Sequence, residues 1–143
     1  MKKILVVLIA VALVIAVSFN QKKEESCAKP MNPNGDSELA LLMREMTAHL
    51  ESEHKLLAAG KAPSAKPEGY ERITTATPSD SKQLNEQHNG FAKIYLEALS
   101  TYHSSTPENY KFAYNNLVKS CISCHENECP GPIKRIEKLL FKE

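Results

Sequence analysis

Three prolines and a glycine between residues 61 and 78 (Pro63, Pro67, Pro78 and Gly69) constrain this chain's fold more than any other feature. Proline lacks the backbone donor and clashes with the preceding turn, so no long helix crosses that stretch. On either side of it, apolar residues recur at helical spacing. Before it, Asp36 or Ser37 can cap a helix that Glu38 supports in its first turn and Gly60 stops. Leu39, Leu42, Met43, Met46, Leu50 and Leu57 share one face of that helix. After the break, a second helix is predicted from Ser79 or Asp80, where Asp80 and Gln83 have capping-box spacing. Its inward face is Leu84, His88, Phe91, Tyr95, Ala98, Leu99 and Tyr102. A third helix is predicted from the cap Thr106, with Pro107 in the first helical position and Tyr110, Ala113, Tyr114, Leu117, Val118 and Cys121 along one side. Pro130-Gly131-Pro132 ends it, and Ile133, Ile136, Leu139 and Leu140 form a last short amphipathic helix within residues 130–143.

The chain is therefore expected to be all-α. A first helix over residues 36–59 is about 36 Å long. The 61–78 segment, extended, reaches up to roughly 60 Å. It can travel back along the whole first helix without being helical itself, so an antiparallel bundle with one strut replaced by a proline-rich crossing is feasible. With no Trp, 6% aromatic residues and 5 Gly, a many-stranded β fold is disfavoured. At 143 residues one domain is the default. A formal net charge of +1 argues against a nucleic-acid surface driven by bulk charge.

Residues 1–18 read as a leader: Lys2 and Lys3 precede an unbroken apolar run from Ile4 to Val17. That run is shorter than the roughly 20 residues a helix needs to span a bilayer. Ala16-Val17-Ser18 offers a cleavage triplet, although large Phe19 follows it. Uncleaved, residues 4–19 would serve as a short tilted membrane anchor. Lipidation at Cys27 is a weaker reading, because polar Glu24-Glu25-Ser26 separates it from the apolar run. Residues 19–35, with Pro30, Pro33 and Asn34-Gly35, form a polar lead-in, and the functional domain spans 36–129. Export, and in bacteria a periplasmic location, is the expectation.

Cys121-Ile122-Ser123-Cys124-His125 is a C-x-x-C-H sequence, the attachment signature for haem c. Two thiols add across the vinyl groups of one porphyrin edge, and the adjoining imidazole is held over the iron. With 4 Cys and 5 His in the chain, about 0.004 such matches are expected by chance. A thioredoxin-like redox pair would need a βαβ context, which the pattern lacks. A zinc site would need a second ligand pair, and Cys27 and Cys129 have neither the spacing nor neighbouring histidines.

An exported helical chain with its single C-x-x-C-H on the last long helix resembles the cytochrome c′ family of four-helix-bundle cytochromes. Small globular cytochromes carry the motif near the N-terminus instead. Met43-Arg44-Glu45-Met46-Thr47-Ala48-His49, followed by Gly60-Lys61-Ala62-Pro63, is similar to that family's first-helix pattern. The resemblance covers about residues 36–129 and departs from the family where its second helix would occupy residues 61–78. It implies that the residue matching Met43 faces the iron opposite His125. Family members with an apolar residue there are five-coordinate gas binders, and those with methionine are low-spin electron carriers. A thioether favours ferrous iron and closes the site to small molecules. Met46 is the next choice of ligand, and both methionines could equally be core fillers. His88, on the inward face of the second helix, is the rival that would give a bis-histidine site. His49 and His54 lie off the centre of the first helix's apolar stripe, and His103, at a helix end, is expected to be solvated.

Cys27 and Cys129 remain after haem attachment, and an oxidising compartment favours pairing them. An internal bridge would close a loop of about 100 residues, stabilising by up to about 4–5 kcal/mol. Two free thiols or a bridge between protomers are the alternatives.

The expected function is that of a carrier rather than an enzyme: a periplasmic monohaem c-type cytochrome passing single electrons between redox partner proteins. His125 and Met43 would be its axial ligands, and Leu39, Met46, Phe91, Tyr95 and Leu117 the apolar wall around the haem. Lys111 and Lys119 could steer an acidic partner, and the resemblance adds a homodimer built on the first helix. The alternative is a five-coordinate haem module that binds NO or CO, with Met43 merely filling the distal side. A peroxidase would need distal acid–base groups, for which only His88 offers itself.

Overall fold

The computed structural model describes residues 35–81 and 84–142, and every regular element among them is helical. The leader, Cys27 and Gln83 of the expected capping pair lie outside the described residues. Among the described residues there are three long helices, α1 (Glu38–Ala58), α2 (Glu86–His103) and α3 (Tyr110–Glu128), and a short α4 (Ile133–Ile136). Single 3-10 turns occur at Tyr70–Thr74, Pro107–Asn109 and Glu137–Leu139. No described helix is long and apolar enough to cross a membrane.

Local chemistry accounts for the boundaries. Ser37 is the cap of α1, its hydroxyl accepting from the Ala40 N–H at 3.2 Å. Asp36 instead pairs with Arg44 at 2.8 Å. At the other end Gly60 takes φ +70°, the Gly60 N–H donates to the Leu57 carbonyl and the Lys61 N–H to that of Leu56. This is the reciprocal pattern that ends a helix on a left-handed residue. The start of α2 corrects the sequence expectation: it begins at Glu86, not near Ser79, because Asn85 accepts from the His88 N–H at 2.8 Å and is the working cap. Leu84 therefore precedes α2 and is only half-buried. Pro107 opens a 3-10 turn that leads into α3.

Side-chain contacts give the directions. His49 stacks on His103 and Glu53 accepts from Tyr102, so the C-terminal halves of α1 and α2 lie together and the two helices run the same way. Tyr114, early in α3, donates to the Leu50 carbonyl at 3.0 Å, and the short connection 104–109 makes α2 and α3 an antiparallel pair. Two helices that run the same way need a connection that returns the full length of the first. The proline-rich segment provides it: Ser64 bonds Glu53, the Tyr70 hydroxyl donates to the Glu45 carbonyl, and Leu39 N–H donates to the Thr77 carbonyl at 2.9 Å. The segment thus descends along α1 from its end to its start. It is pinned to α2 by the His88 Nε2–H, which donates to the Ile73 carbonyl at 2.8 Å.

The core is the shared interior of these elements, with Leu42, Leu50, Leu99, Tyr102, Tyr114, Leu117 and Val118 among its most buried members. Burying a leucine of this kind contributes about 1.5–3 kcal/mol. The C-terminal segment is fastened across α1 and α3. Arg135 pairs with Glu51 at 2.7 Å, Phe141 exchanges two hydrogen bonds with the Asn115 side chain, and its ring stacks on His54 at 4.3 Å. That placement turns Ile136 and Leu139 inward.

Candidate functional site

Cys121, Cys124 and His125 stand three and four residues apart, so α3 presents them on one face. The same spacing on α1 presents Met43, Met46, Thr47 and Leu50, and on α2 Phe91 and Tyr95. These three faces, with Ile73 of the crossing segment and Ile136 and Leu139 of the C-terminal segment, enclose one cleft. Its empty space is about 490 Å³, including the part open to solvent at its mouth. Of the residues expected from sequence, the cleft brings together Met43, Met46, Phe91, Tyr95, Cys121, Cys124 and His125. It does not include Leu39 or Leu117, which are buried in the core but do not line it.

The imidazole of His125 has a defined orientation. Its Nδ1 lies 2.8 Å from the Cys129 carbonyl oxygen, which can only accept, so Nδ1 carries the proton and, in the neutral ring, Nε2 keeps its lone pair. A metal-ligating histidine is typically held this way, with its second nitrogen donating to a carbonyl. The thiols are not bonded to each other, and burial pushes Cys121 up to about 12 and Cys124 up to about 11. A redox-active pair works through a lowered thiol pKa, so this pair is unlike one. Among the described residues no three His, Cys, Asp or Glu side chains form a group that could hold a metal ion. What the cleft offers is one imidazole nitrogen, two thioether sulfurs and two thiols on a largely apolar wall that also carries the hydroxyls of Thr47, Tyr95 and Ser120. That donor set fits haem c: thiols for the porphyrin edge, a nitrogen and a sulfur as axial ligands, and aliphatic and aromatic sides.

His88 is elsewhere. It is buried against the crossing segment, its Nε2 committed to Ile73, and it does not line the cleft. Lys111 lies over the Phe141 ring at 5.1 Å, near the tail clasp, and Lys119 is exposed on α3.

A second polar cluster escaped the sequence reading. Glu53 is fully buried, accepting from the Tyr102 hydroxyl at 2.6 Å and from the Ser64 hydroxyl at 2.5 Å. His49 and His103 stack beside it with ring centroids 5.6 Å apart. His103 is therefore half-buried rather than solvated, with its Nδ1–H directed to the Ser64 carbonyl at 3.2 Å. Burial lowers both histidines below their usual value, against the pull of the Glu53 carboxylate. For Glu53, burial pushes the pKa up, but the hydrogen bonds from Ser64 and Tyr102 outweigh it and the net shift is downward. The one sequence hint was that Glu53 falls seven residues after Met46 and four before Leu57, in register with an apolar face.

No family model, curated protein or solved structure matches this chain.

Proposed function

We propose that the chain is an exported monohaem c-type cytochrome that carries single electrons between redox partner proteins. It would be a bundle of the cytochrome c′ type whose second helix is replaced by the 61–78 crossing. The observation that carries this reading is the His125 imidazole of the C-x-x-C-H motif. Its Nδ1 is tied to the Cys129 carbonyl and it shares one cleft with Met43 and Met46.

Cys121 and Cys124 would hold the haem edge through two thioether bonds, and His125 Nε2 and the Met43 sulfur would be its axial ligands, with Met46 the second choice. The bound haem supplies the reversible one-electron couple. The residues of the chain set the conditions for it. The Cys129 carbonyl fixes the tautomer of His125 and raises its basicity. A thioether ligand favours the ferrous state. Leu50, Ile73, Phe91, Ile136 and Leu139 give the cleft an apolar lining. Among the described residues that line it there is no Asp or Glu.

The test is the absorption spectrum of haem-loaded protein, oxidised and reduced, with and without carbon monoxide. The expected result is a low-spin reduced spectrum unmoved by carbon monoxide, with a weak long-wavelength sulfur-to-iron band in the oxidised protein. Met43→Ala should remove that band and Met46→Ala should leave it. A high-spin spectrum that shifts with carbon monoxide would replace this reading with the five-coordinate gas-binding one.

A further inference from the structure

Among the described residues four buried side-chain polar atoms have no hydrogen-bond partner: His49 Nε2, Asn89 Oδ1, His103 Nε2 and Tyr95 Oη. Only Tyr95 lines the cleft. The residue is 3% exposed, and it shares the cleft lining with Phe91, one turn away on α2, and with Cys121 of α3. The other polar groups on that wall are satisfied locally. The Thr47 hydroxyl donates to the Met43 carbonyl at 2.8 Å, and the Ser120 hydroxyl and Cys121 thiol both donate to the Leu117 carbonyl, at 2.7 and 3.5 Å. Buried tyrosines ordinarily find a partner, and an unmade bond of this kind is a net loss to the fold. Phenylalanine would fill the same volume without that loss, so packing alone does not explain the hydroxyl.

We propose that Tyr95 is a positioning residue whose hydroxyl donates a hydrogen bond to a lone-pair acceptor that arrives with the haem. This rests on the cytochrome reading above. Two acceptors have the right chemistry: the iron-bound thioether sulfur and a haem carboxylate. In either case the hydroxyl would draw electron density from a group bound to the iron or belonging to the haem. That favours the reduced state, because hydrogen bonding next to a haem is one of the protein's levers on its potential.

The test is Tyr95→Phe, measured in haem-free and haem-loaded chain side by side, with attachment checked by intact mass. In the haem-free chain the variant is expected to be at least as stable as the parent, shifting the unfolding equilibrium toward the folded state by up to about tenfold. In the loaded chain the sign reverses: Tyr95→Phe unfolds more easily and its midpoint potential falls. A shift of the sulfur-to-iron band in the variant identifies the thioether as acceptor. A change in the pH at which the potential begins to move, with the band unaltered, identifies a carboxylate. If Tyr95→Phe destabilises both forms equally, or leaves the loaded potential where it was, the hydroxyl serves the protein or a water and the inference is wrong. A chain with no covalently attached mass overturns the cytochrome reading itself, and this inference with it.

Discussion

Glu53 shares a closed space with two imidazoles, and that neighbourhood makes the fold sensitive to acid. Beside it lie His49 on its own helix, Tyr102 and His103 on α2 and Ser64 on the crossing segment, while Tyr70 stands edge-on to His49 and Lys66 acts on His103. All three titrating groups have folded-state values below their ordinary ones of 6.5 for the histidines and 4.5 for the glutamate. The unfolded chain therefore takes up protons that the folded chain resists, and stability rises with pH. The loss should begin as pH falls below 6.5, where the unfolded histidines charge, and deepen below 4.5 as Glu53 is protonated. Urea midpoints measured between about pH 8 and pH 4 check this. A double variant, His49→Gln with His103→Gln, should flatten the upper part of the profile and leave the lower part. A profile flat from 6.5 to 5 in the parent would remove the cluster from the account. None of this was legible residue by residue. The helical register placed Glu53 on the apolar face, but only the fold shows that Ser64, Tyr102 and two imidazoles meet it there. Cys121, Cys124 and His125 stood out in the sequence because their spacing is chemically specific, and Met43 through the resemblance of its helix to a family pattern; that the four line one cleft is what the fold adds.

The crossing segment is the element that gives this fold its character. Its prolines excluded a helix in advance, and its reach along α1 followed from chain dimensions alone. What it leans on did not follow, since Ser64, Tyr70, Ile73 and Thr77 find partners at sequence separations of 11 to 39 residues. The start of α2 was misplaced for a related reason. Asp80 and Gln83 have the right spacing for a cap, yet Asn85 competes for the same role and has the His88 N–H within 2.8 Å. His88 in turn ties the segment to α2 through Ile73, a cleft residue. His88→Phe should cost about 1–3 kcal/mol by leaving the Ile73 carbonyl unpaired. It should leave the low-spin spectrum and the sulfur-to-iron band of loaded protein in place. Loss of the low-spin spectrum in that variant would make His88 a ligand after all.

At the scale of the whole molecule, the helices divide by distance along the chain. α2 and α3 are joined by the short connection 104–109, whereas α1 reaches them only through residues 59–85. Closing a long connection before its contacts reward it is slow. We expect the α2–α3 pair to form first in refolding and α1 to arrive later. Pulsed hydrogen exchange should find amides of α2 and α3 protected ahead of those of α1, and simultaneous protection would refute that order. The cleft is walled on one side by α1, so there is an interval in which the Cys121 and Cys124 thiols stand on an open face before that wall closes over them. On the cytochrome reading, a chain that meets haem in this interval would be loaded without reopening, whereas one that meets it later would first have to part α1 from the pair. When the two meet, and not only how well they fit, would then decide which molecules become functional.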